Sequence, residues 1–318
     1  MPTMVTRAPS SNNPIAAGEA PATAILGDDV DQWGVVRVSL PCDSHVHSEW
    51  SWDAPAGDMA RSCARAVEIG LPAIAFTEHL DHTVWRVALE GPYAVDRLTA
   101  VADPEGMLTP PAFDAAGYLD TIERCRERFP GLRILSGLEM GEPHRHAEQC
   151  AKILAAGRFD RVLGSLHTLA DQGTFAEPWG IYPHRDAAEV VREYLAGVAT
   201  MMSTSGMFSV LAHIDYPIRS WPAERAGPFD PTAFEEDFRH ALRATARSGR
   251  ALEINTRLPL HATILAWWHE EGGDAITFGS DAHLPASVAH GFAEAVQMAE
   301  AHGFRPGRNP YDLWGRVD

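Results

Sequence analysis

The sequence predicts an α/β protein in which βα units repeat around a parallel sheet or barrel, and three observations carry that expectation. From Val35 onward, apolar runs of strand length alternate with helical patterns. Seven of those runs end on a polar residue, and six of the seven ends carry a residue of metal-ligand type. The chain has 318 residues, 45% of them hydrophobic and 22% charged, enough to bury one sizeable core. Polar residues gathered at one end of every run, six of them of ligand type, suit the C-terminal rim of a barrel, where such enzymes place their sites.

Residues 1–33 are rich in Ala, Pro, Ser, Asn and Gly with no sustained period, which predicts a flexible leader ahead of a single domain over 34–318. The first run ends on Asp43-Ser44-His45-Val46-His47. Side chains two apart on a strand point the same way, so His45 and His47 can close on one metal ion. A helix follows over Met59 to Ile69, with Met59, Cys63, Ala66 and Val67 on one face. Leu71 to Phe76 then stops at Thr77-Glu78-His79. Several Gly and Pro residues mark about 83–113 as an insertion after the second strand, a candidate lid or pocket wall. Tyr118 to Phe129 is helical, and Leu132 to Leu138 stops at Glu139.

Arg161 to Leu166 stops at His167, and Asp186 caps a long helix to about Met202. Met207 to Ala212 reaches His213-Ile214-Asp215. Pro231 opens a helix that runs to Ser248, with Gly249 as its stop. Ala251 to Ile254 reaches Asn255-Thr256-Arg257, and Ala275 to Ser280 reaches Asp281-Ala282-His283. Trp267 and Trp268 are read as packing a helix onto the barrel.

Composition excludes some classes of function. The net charge is −17 with 26 basic residues, a field that repels a phosphate backbone, so no nucleic-acid partner is expected. No run approaches the roughly 20 apolar residues of a membrane span, and the N-terminus lacks a basic start with an apolar core. A cytoplasmic protein without a membrane partner is the expectation; oligomeric state leaves no sign in the sequence. Cys42, Cys63, Cys125 and Cys150 show no C-x-x-C spacing and are read as reduced and structural. A small anionic substrate remains compatible with the acidic chain where metal ions and a few arginines reverse the local sign.

In order, His45-x-His47, the acid Asp53 six residues later, Glu78-His79, Gly137-x-Glu139, Gly164-Ser165-x-His167, Ala212-His213-x-Asp215 and Gly279-Ser280-Asp281-Ala282-His283 closely resemble the ligand motifs of the PHP (polymerase and histidinol phosphatase) superfamily. The resemblance covers about Val35 to Phe304. Within the superfamily, the stretches Tyr118 to Ile122, Ala212 to Asp215 and Ala251 to Thr256 look most like monofunctional histidinol-phosphate phosphatases. The resemblance implies a distorted (β/α)7 TIM-like barrel holding three divalent metal ions at the C-terminal ends of its strands. It implies His45, His47, Asp281 and a bridging Glu139 at the first metal, Glu139, His167 and His213 at the second, and Asp53, His79 and His283 at the third.

Imidazole and carboxylate without thiolate suit Zn, Mn or Fe. A carboxylate that spans two cations traps a water that ionises near neutral pH, which gives a nucleophile for phosphorus. The expected activity is therefore a metal-dependent phosphatase in which a metal-bridged hydroxide attacks a small phosphomonoester, L-histidinol phosphate being one candidate. Glu139 and Asp281 are the expected catalytic carboxylates. Arg257 is the first candidate phosphate clamp and Arg219 the second, with salt bridges on the rim as their plainer reading. Asp215 or His82 is the candidate proton donor to the leaving alcohol. Trp50 and Trp52 lie between His47 and Asp53 and are expected to line the leaving-group pocket. Asp43 is expected to orient the ligand imidazoles, and Glu78 to act similarly; His144 and His146 are read as a surface or pocket-edge pair.

Three alternatives stay open at this point. A metal-dependent amidohydrolase also opens on His-x-His, but many such enzymes bridge their metals with a carboxylated lysine, and the single lysine, Lys152, falls on a helical pattern. A non-catalytic PHP module would be favoured by missing ligands. A nucleotide, phosphodiester or natural-product phosphate would keep the chemistry and change the substrate, since 83–113 carries no readable specificity code.

Overall fold

The computed structural model describes residues 40–89 and 96–317. The predicted leader, and the start of the first run at Val35, lie outside the described residues. Seven parallel strands form the barrel: β1 (Asp43–Val46), β2 (Ala73–Leu80), β3 (Arg133–Gly141), β4 (Arg161–Ser165), β5 (Val210–Leu211), β6 (Ala251–Asn255) and β7 (Ala275–Gly279). Each pairs with the next, and β1 returns to β7 through Asp43 opposite Phe278, which closes the sheet. The helices α1 (Met59–Glu68), α2 (Ala115–Arg128), α3 (Ala147–Leu154), α4 (Ala187–Thr204), α5 (Glu235–Arg247), α6 (Ala262–Glu270) and α7 (Phe292–Ala301) lie between or after strands.

The β2 sequence shows why a strand forms there. Ile74 and Phe76 pack with Met59 and Cys63 of α1 and Tyr118 and Ile122 of α2, while Ala73 and Ala75 pack with Leu135 and Cys42 in a separate cluster. Both faces are buried, as a parallel sheet requires, and the period of two decides which residue meets which neighbour. Helix starts follow local chemistry: the Asp58, Asp114 and Asp186 carboxylates accept hydrogen bonds from the amides of Arg61, Gly117 and Glu189. Trp268 is fully buried and Trp267 nearly so, both within the main core, in keeping with a helix packed on the barrel. The four cysteines are buried and unbridged, and no helix among the described residues is long and apolar enough to cross a membrane.

Four elements differ in extent from expectation. The strands predicted to stop at Phe76 and Leu138 run on to Leu80 and Gly141, because His79 pairs with Glu139 in the ladder itself. Charge ended the apolar pattern without ending the strand. Between Met207 and Ala212 only Val210 and Leu211 are in a strand. The helix predicted from Pro231 begins as a 3-10 turn over Pro231–Phe234, opened by the Asp230 carboxylate on the Thr232 amide, and becomes α-helical at Glu235. The stop at Gly249 holds, with a left-handed φ of 70°.

The insertion builds a second sheet. Trp85–Arg86 pairs antiparallel with Met107–Leu108 and parallel, at Arg86, with Ala176 of the hairpin Leu169–Asp171 and Thr174–Ala176. Trp85, Val87, Leu98 and Leu108 form its own small core, packed with Trp52, Phe175 and Trp179.

Tyr118 joins β2 to β3: its hydroxyl donates to the Phe76 carbonyl at 2.7 Å and accepts from the Gly137 amide at 2.8 Å. Tyr118→Phe leaves both groups unpaired in a fully buried place and is expected to lower stability by about 1–3 kcal/mol. A urea denaturation midpoint equal to that of the parent would contradict this reading.

Candidate metal centre

All nine predicted ligands converge at the C-terminal rim, with Glu139 in the middle. Glu139 Oε2 lies 3.1 Å from His45 Nε2, 3.4 Å from His47 Nε2 and 3.3 Å from His79 Nδ1. Its Oε1 lies 3.1 Å from His167 Nε2 and 2.6 Å from His213 Nε2, and accepts from Ser165 Oγ at 2.7 Å. Each oxygen therefore serves a different set of imidazoles. Asp281 Oδ1 stands 3.5 Å from both His47 Nε2 and His283 Nδ1. Asp53, from the loop after β1, places its oxygens 3.4 Å from His79 Nε2 and 2.9 Å from His283 Nε2.

Local geometry aims these groups. His45 and His47 leave β1 on one side, with their Nε2 atoms 3.1 Å apart. Asp281 follows β7 with a φ of 52°, a left-handed conformation uncommon outside glycine, and its amide donates to the His45 carbonyl at 2.8 Å. That kink turns its carboxylate inward.

Burial alone would raise the Glu139 carboxyl, but the imidazoles of His45, His79 and His167 outweigh it and hold Glu139 well below the usual range. Asp281 is held low against the same burial by Arg219 and His45, and Asp53 by His79 and His283. Burial would lower His45 and His167, yet Glu253 and Glu139 raise the first, and Glu139 and Asp81 the second, well above the ordinary imidazole value. Burial brings His213 down to about 4, so its imidazole is neutral and its lone pair available.

This pocket of ionised carboxylates and imidazoles fits divalent cations. Glu139 Oε2 and His79 Nδ1 are buried and 3.3 Å apart, yet neither makes a well-directed hydrogen bond. Donors that share one tetrahedral ion at roughly 2.1 Å stand about 3.4 Å apart. Among the described residues, four overlapping groups have ligand atoms within 4.8 Å of one another: His45, Glu139 and His213; His45, His47 and Asp281; His47, His79 and His283; and His79, Asp81 and His167.

Asp81 escaped the sequence reading. Its oxygens lie 3.3 Å from His167 Nδ1 and 3.3 Å from His79 Nδ1, and one accepts from Trp52 Nε1 at 3.0 Å. The signal was present, since Asp81 follows His79 at the same two-residue spacing as His45 and His47. Glu253 also escaped it. Fully buried, it reaches His45 Nδ1 at 2.6 Å and accepts from the His213 amide at 2.8 Å. An acid inside the apolar run Ala251 to Ile254 was its only mark.

Asp43 corrects an expectation. It touches no ligand imidazole ring; it accepts from the Ser280 amide and hydroxyl at 3.0 and 2.6 Å and from the Ala289 amide at 2.9 Å, and burial pushes its carboxyl up to about 6. Two residues before His45 on a strand, it sits roughly 6–7 Å below the ligand level. Glu78 does act on a ligand, through Ser51: Glu78 accepts from Ser51 Oγ at 2.5 Å, and Ser51 Oγ lies 2.9 Å from His47 Nδ1.

A cavity of about 400 Å³ opens above the cluster. Arg219 and Arg257 both line it. Arg219 Nη1 bonds Asp281 at 2.8 Å, while its Nε and Nη2 are buried without a hydrogen-bond partner among the described residues. Arg257 stands 3.4 Å from Asp281 and 3.2 Å from His283 at the more open edge. Arg219 is thus the more buried of the two arginines. Asp215 is buried outside the cavity lining, where burial pushes its carboxyl up to about 6 and Arg219 counters.

Trp52 lines the cavity but Trp50 does not, because turns at Ser51 and Ala54 send them apart; Trp50 meets Tyr118 edge-on at 6.4 Å. His82 is also outside the lining, since Asp81 takes the inward position after β2 and His82 turns to His146, ring to ring at 5.7 Å. Glu177, Trp179 and Tyr216 line the cavity without having been singled out in the sequence.

The family model of the PHP domain matches residues 43–257. A probable histidinol-phosphatase of Deinococcus radiodurans is 30% identical over 275 residues, 83% of this chain and 94% of the relative. A histidinol-phosphatase of Lactococcus lactis subsp. lactis is 27% identical over 256 residues, 76% of this chain and 84% of the relative. Among solved structures, the chain is similar to histidinol phosphate phosphatase from Lactococcus lactis complexed with Zn, L-histidinol and phosphate, with a TM-score of 0.69 and 24% identity over 86% of this chain and 97% of that one. At that identity the likeness speaks of fold.

Exchange of Glu253 for Gln removes the anion behind His45 Nδ1 and is expected to weaken divalent-cation affinity by about ten- to a hundredfold. Equilibrium dialysis against Zn measures it; unchanged affinity would remove Glu253 from the centre.

Proposed function

We propose that the chain, which belongs to the PHP domain family, is a metal-dependent phosphatase that hydrolyses a small phosphomonoester, L-histidinol phosphate first among the candidates. The observation that carries this reading is Glu139, one buried carboxylate whose two oxygens face two different sets of imidazoles. Its relatives named histidinol-phosphatase, aligned over more than three quarters of the chain, support the substrate. A cytoplasmic location, without nucleic-acid or membrane partners, belongs to the same reading and agrees with a net charge of −17.

In this proposal His45, His47, Asp281 and Glu139 hold one ion, Glu139, His167 and His213 a second, and Asp53, His79 and His283 a third. Bound there, divalent ions would acidify water and offset the charge of a phosphoryl group. The protein supplies position and charge. Glu253 and Ser51 fix the far nitrogens of His45 and His47, so that the near ones face inward. Arg219 presents two donors with no other partner among the described residues, which suits phosphate oxygens, and Asp281 holds that guanidinium in place. Asp215 reinforces the charge of Arg219 from behind. Since neither Asp215 nor His82 lines the cavity, neither is assigned proton transfer to the leaving alcohol.

The amidohydrolase reading loses its support. Lys152 lies exposed on α3, paired with Glu148 at 2.9 Å, and in this proposal Glu139 takes the bridging role.

Purified protein loaded with Zn, Mn or Fe is expected to release phosphate from L-histidinol phosphate and to lose that activity on chelation. Loaded protein inert toward sugar, nucleoside, aryl and amino-alcohol phosphates alike would end the phosphatase reading. Glu139→Gln is expected to lower turnover by more than about a hundredfold, and near-normal turnover would refute the bridging assignment. Arg219→Ala is expected to lower kcat/KM by about a hundredfold; a change under threefold would return Arg219 to a salt bridge on the rim.

A further inference from the structure

We infer that Asp81 is a positioning residue that ties the cation ligands His79 and His167 to Trp52, so that the seating of the cavity wall and the affinity of the centre for divalent cations depend on one another. The inference rests on the metal-centre reading and concerns a residue outside its ligand set. Asp81 is buried directly after β2, two residues beyond His79. Its carboxylate touches three segments of the chain. Oδ1 lies 3.3 Å from His167 Nδ1, after β4; Oδ2 lies 3.3 Å from His79 Nδ1, within β2, and accepts from Trp52 Nε1, in the loop after β1, at 3.0 Å. A proton on His167 Nδ1, shared with Asp81, leaves the lone pair on Nε2, which faces Glu139 at 3.1 Å. His79 Nδ1 lies 3.3 Å from both Asp81 Oδ2 and Glu139 Oε2, so a shift of Asp81 tilts that ring against the central carboxylate.

The other end of the link belongs to the second sheet. The Trp52 ring meets Trp85 with centroids 5.6 Å apart and packs with the small core of Trp85, Val87, Leu98 and Leu108. An indole offers one donor and no acceptor, and that donor goes to Asp81. Both oxygens of Asp81 belong to one planar group. A turn that releases Trp52 from Oδ2 therefore swings Oδ1 away from His167. Little slack remains on the far side, since a Cβ on Gly141 would overlap Asp81 Oδ1 and stand 3.4 Å from His167 Nδ1.

A cation that fixes His79 and His167 thus steadies Asp81 and Trp52, and a ligand resting on Trp52 tightens the hold on the cation. Linkage makes the two effects equal in free energy. The second sheet bears on the centre through this one carboxylate.

Equilibrium dialysis of the full chain against Zn tests the inference without any phosphate ester. Asp81→Asn is expected to weaken Zn affinity by about ten- to a hundredfold. Trp52→Phe keeps an aromatic face and removes the donor, and is expected to weaken it by about three- to tenfold. In the double variant the loss is expected to match that of Asp81→Asn alone, because the donor acts through the carboxylate. Gly141→Ala displaces Asp81 without replacing it and is expected to act like Asp81→Asn. Trp50→Phe, outside the cavity, is the control and is expected to keep the parent affinity. Parent affinity in Trp52→Phe, equal losses in the two tryptophan variants, or a double-variant loss equal to the product of the single losses overturns the inference, and hydrolysis of a phosphate ester by the same protein leaves the phosphatase reading standing. Linked Zn affinities in a chain that hydrolyses no ester uphold the inference and remove the phosphatase reading alone.

Discussion

A carboxylate held ionised inside a protein is the constraint from which the rest of this architecture follows. Glu139 is nearly inaccessible to solvent, as are His45, His47 and His213 around it. An isolated charge so placed is unfavourable by several kcal/mol, and only opposite charge or a cation at close range offsets that. The five imidazoles that provide it come from four strands, β1, β2, β4 and β5, so that part of the barrel must assemble for the carboxylate to be tolerated. Glu253, Ser51 and Asp81 stand behind those imidazoles and fix which nitrogen faces inward.

The sequence made the centre legible because strand geometry converts spacing into direction. His45 with His47, and Asp281 with His283, are pairs two residues apart at a strand end, and each pair reached one site. The supports were less legible. Glu253 lies inside an apolar run where a single acid carries no pattern, and its partners His45 and His213 lie far along the chain, while Asp81 shows only its two-residue spacing from His79. Asp43 was misread for a related reason, since proximity in sequence to His45 hid a vertical offset along the strand. Trp50 and Trp52 were indistinguishable in the sequence, and only the turn between them decides which one meets the cavity. Charged residues inside β2 and β3 also masked the true length of those strands, because burial by mutual pairing is invisible to an apolar pattern.

The cavity combines two kinds of construction. Its floor belongs to the barrel, where ladder register places His79 opposite Glu139. Its wall is shared among Trp52 from the loop after β1, Trp85 from the smaller sheet and the segment of Glu177 and Trp179, and the smaller sheet has an apolar cluster of its own.

The seam between β1 and β7 has a further meaning. It consists of one ladder pair, an isolated bridge from Val46 to Ala282, and the Asp43 carboxylate on Ser280 and Ala289, across 237 residues in the case of Ser280. Contacts of such high sequence separation form late in folding, after most of the loop entropy has been spent. The groups at this seam, His45 and His47 on one side and Asp281 and His283 on the other, meet only when it shuts. During synthesis, a growing chain can therefore carry nearly all of its helices and strands and still hold an incomplete cation site, which Asp281 and His283 complete once the last barrel strand has docked.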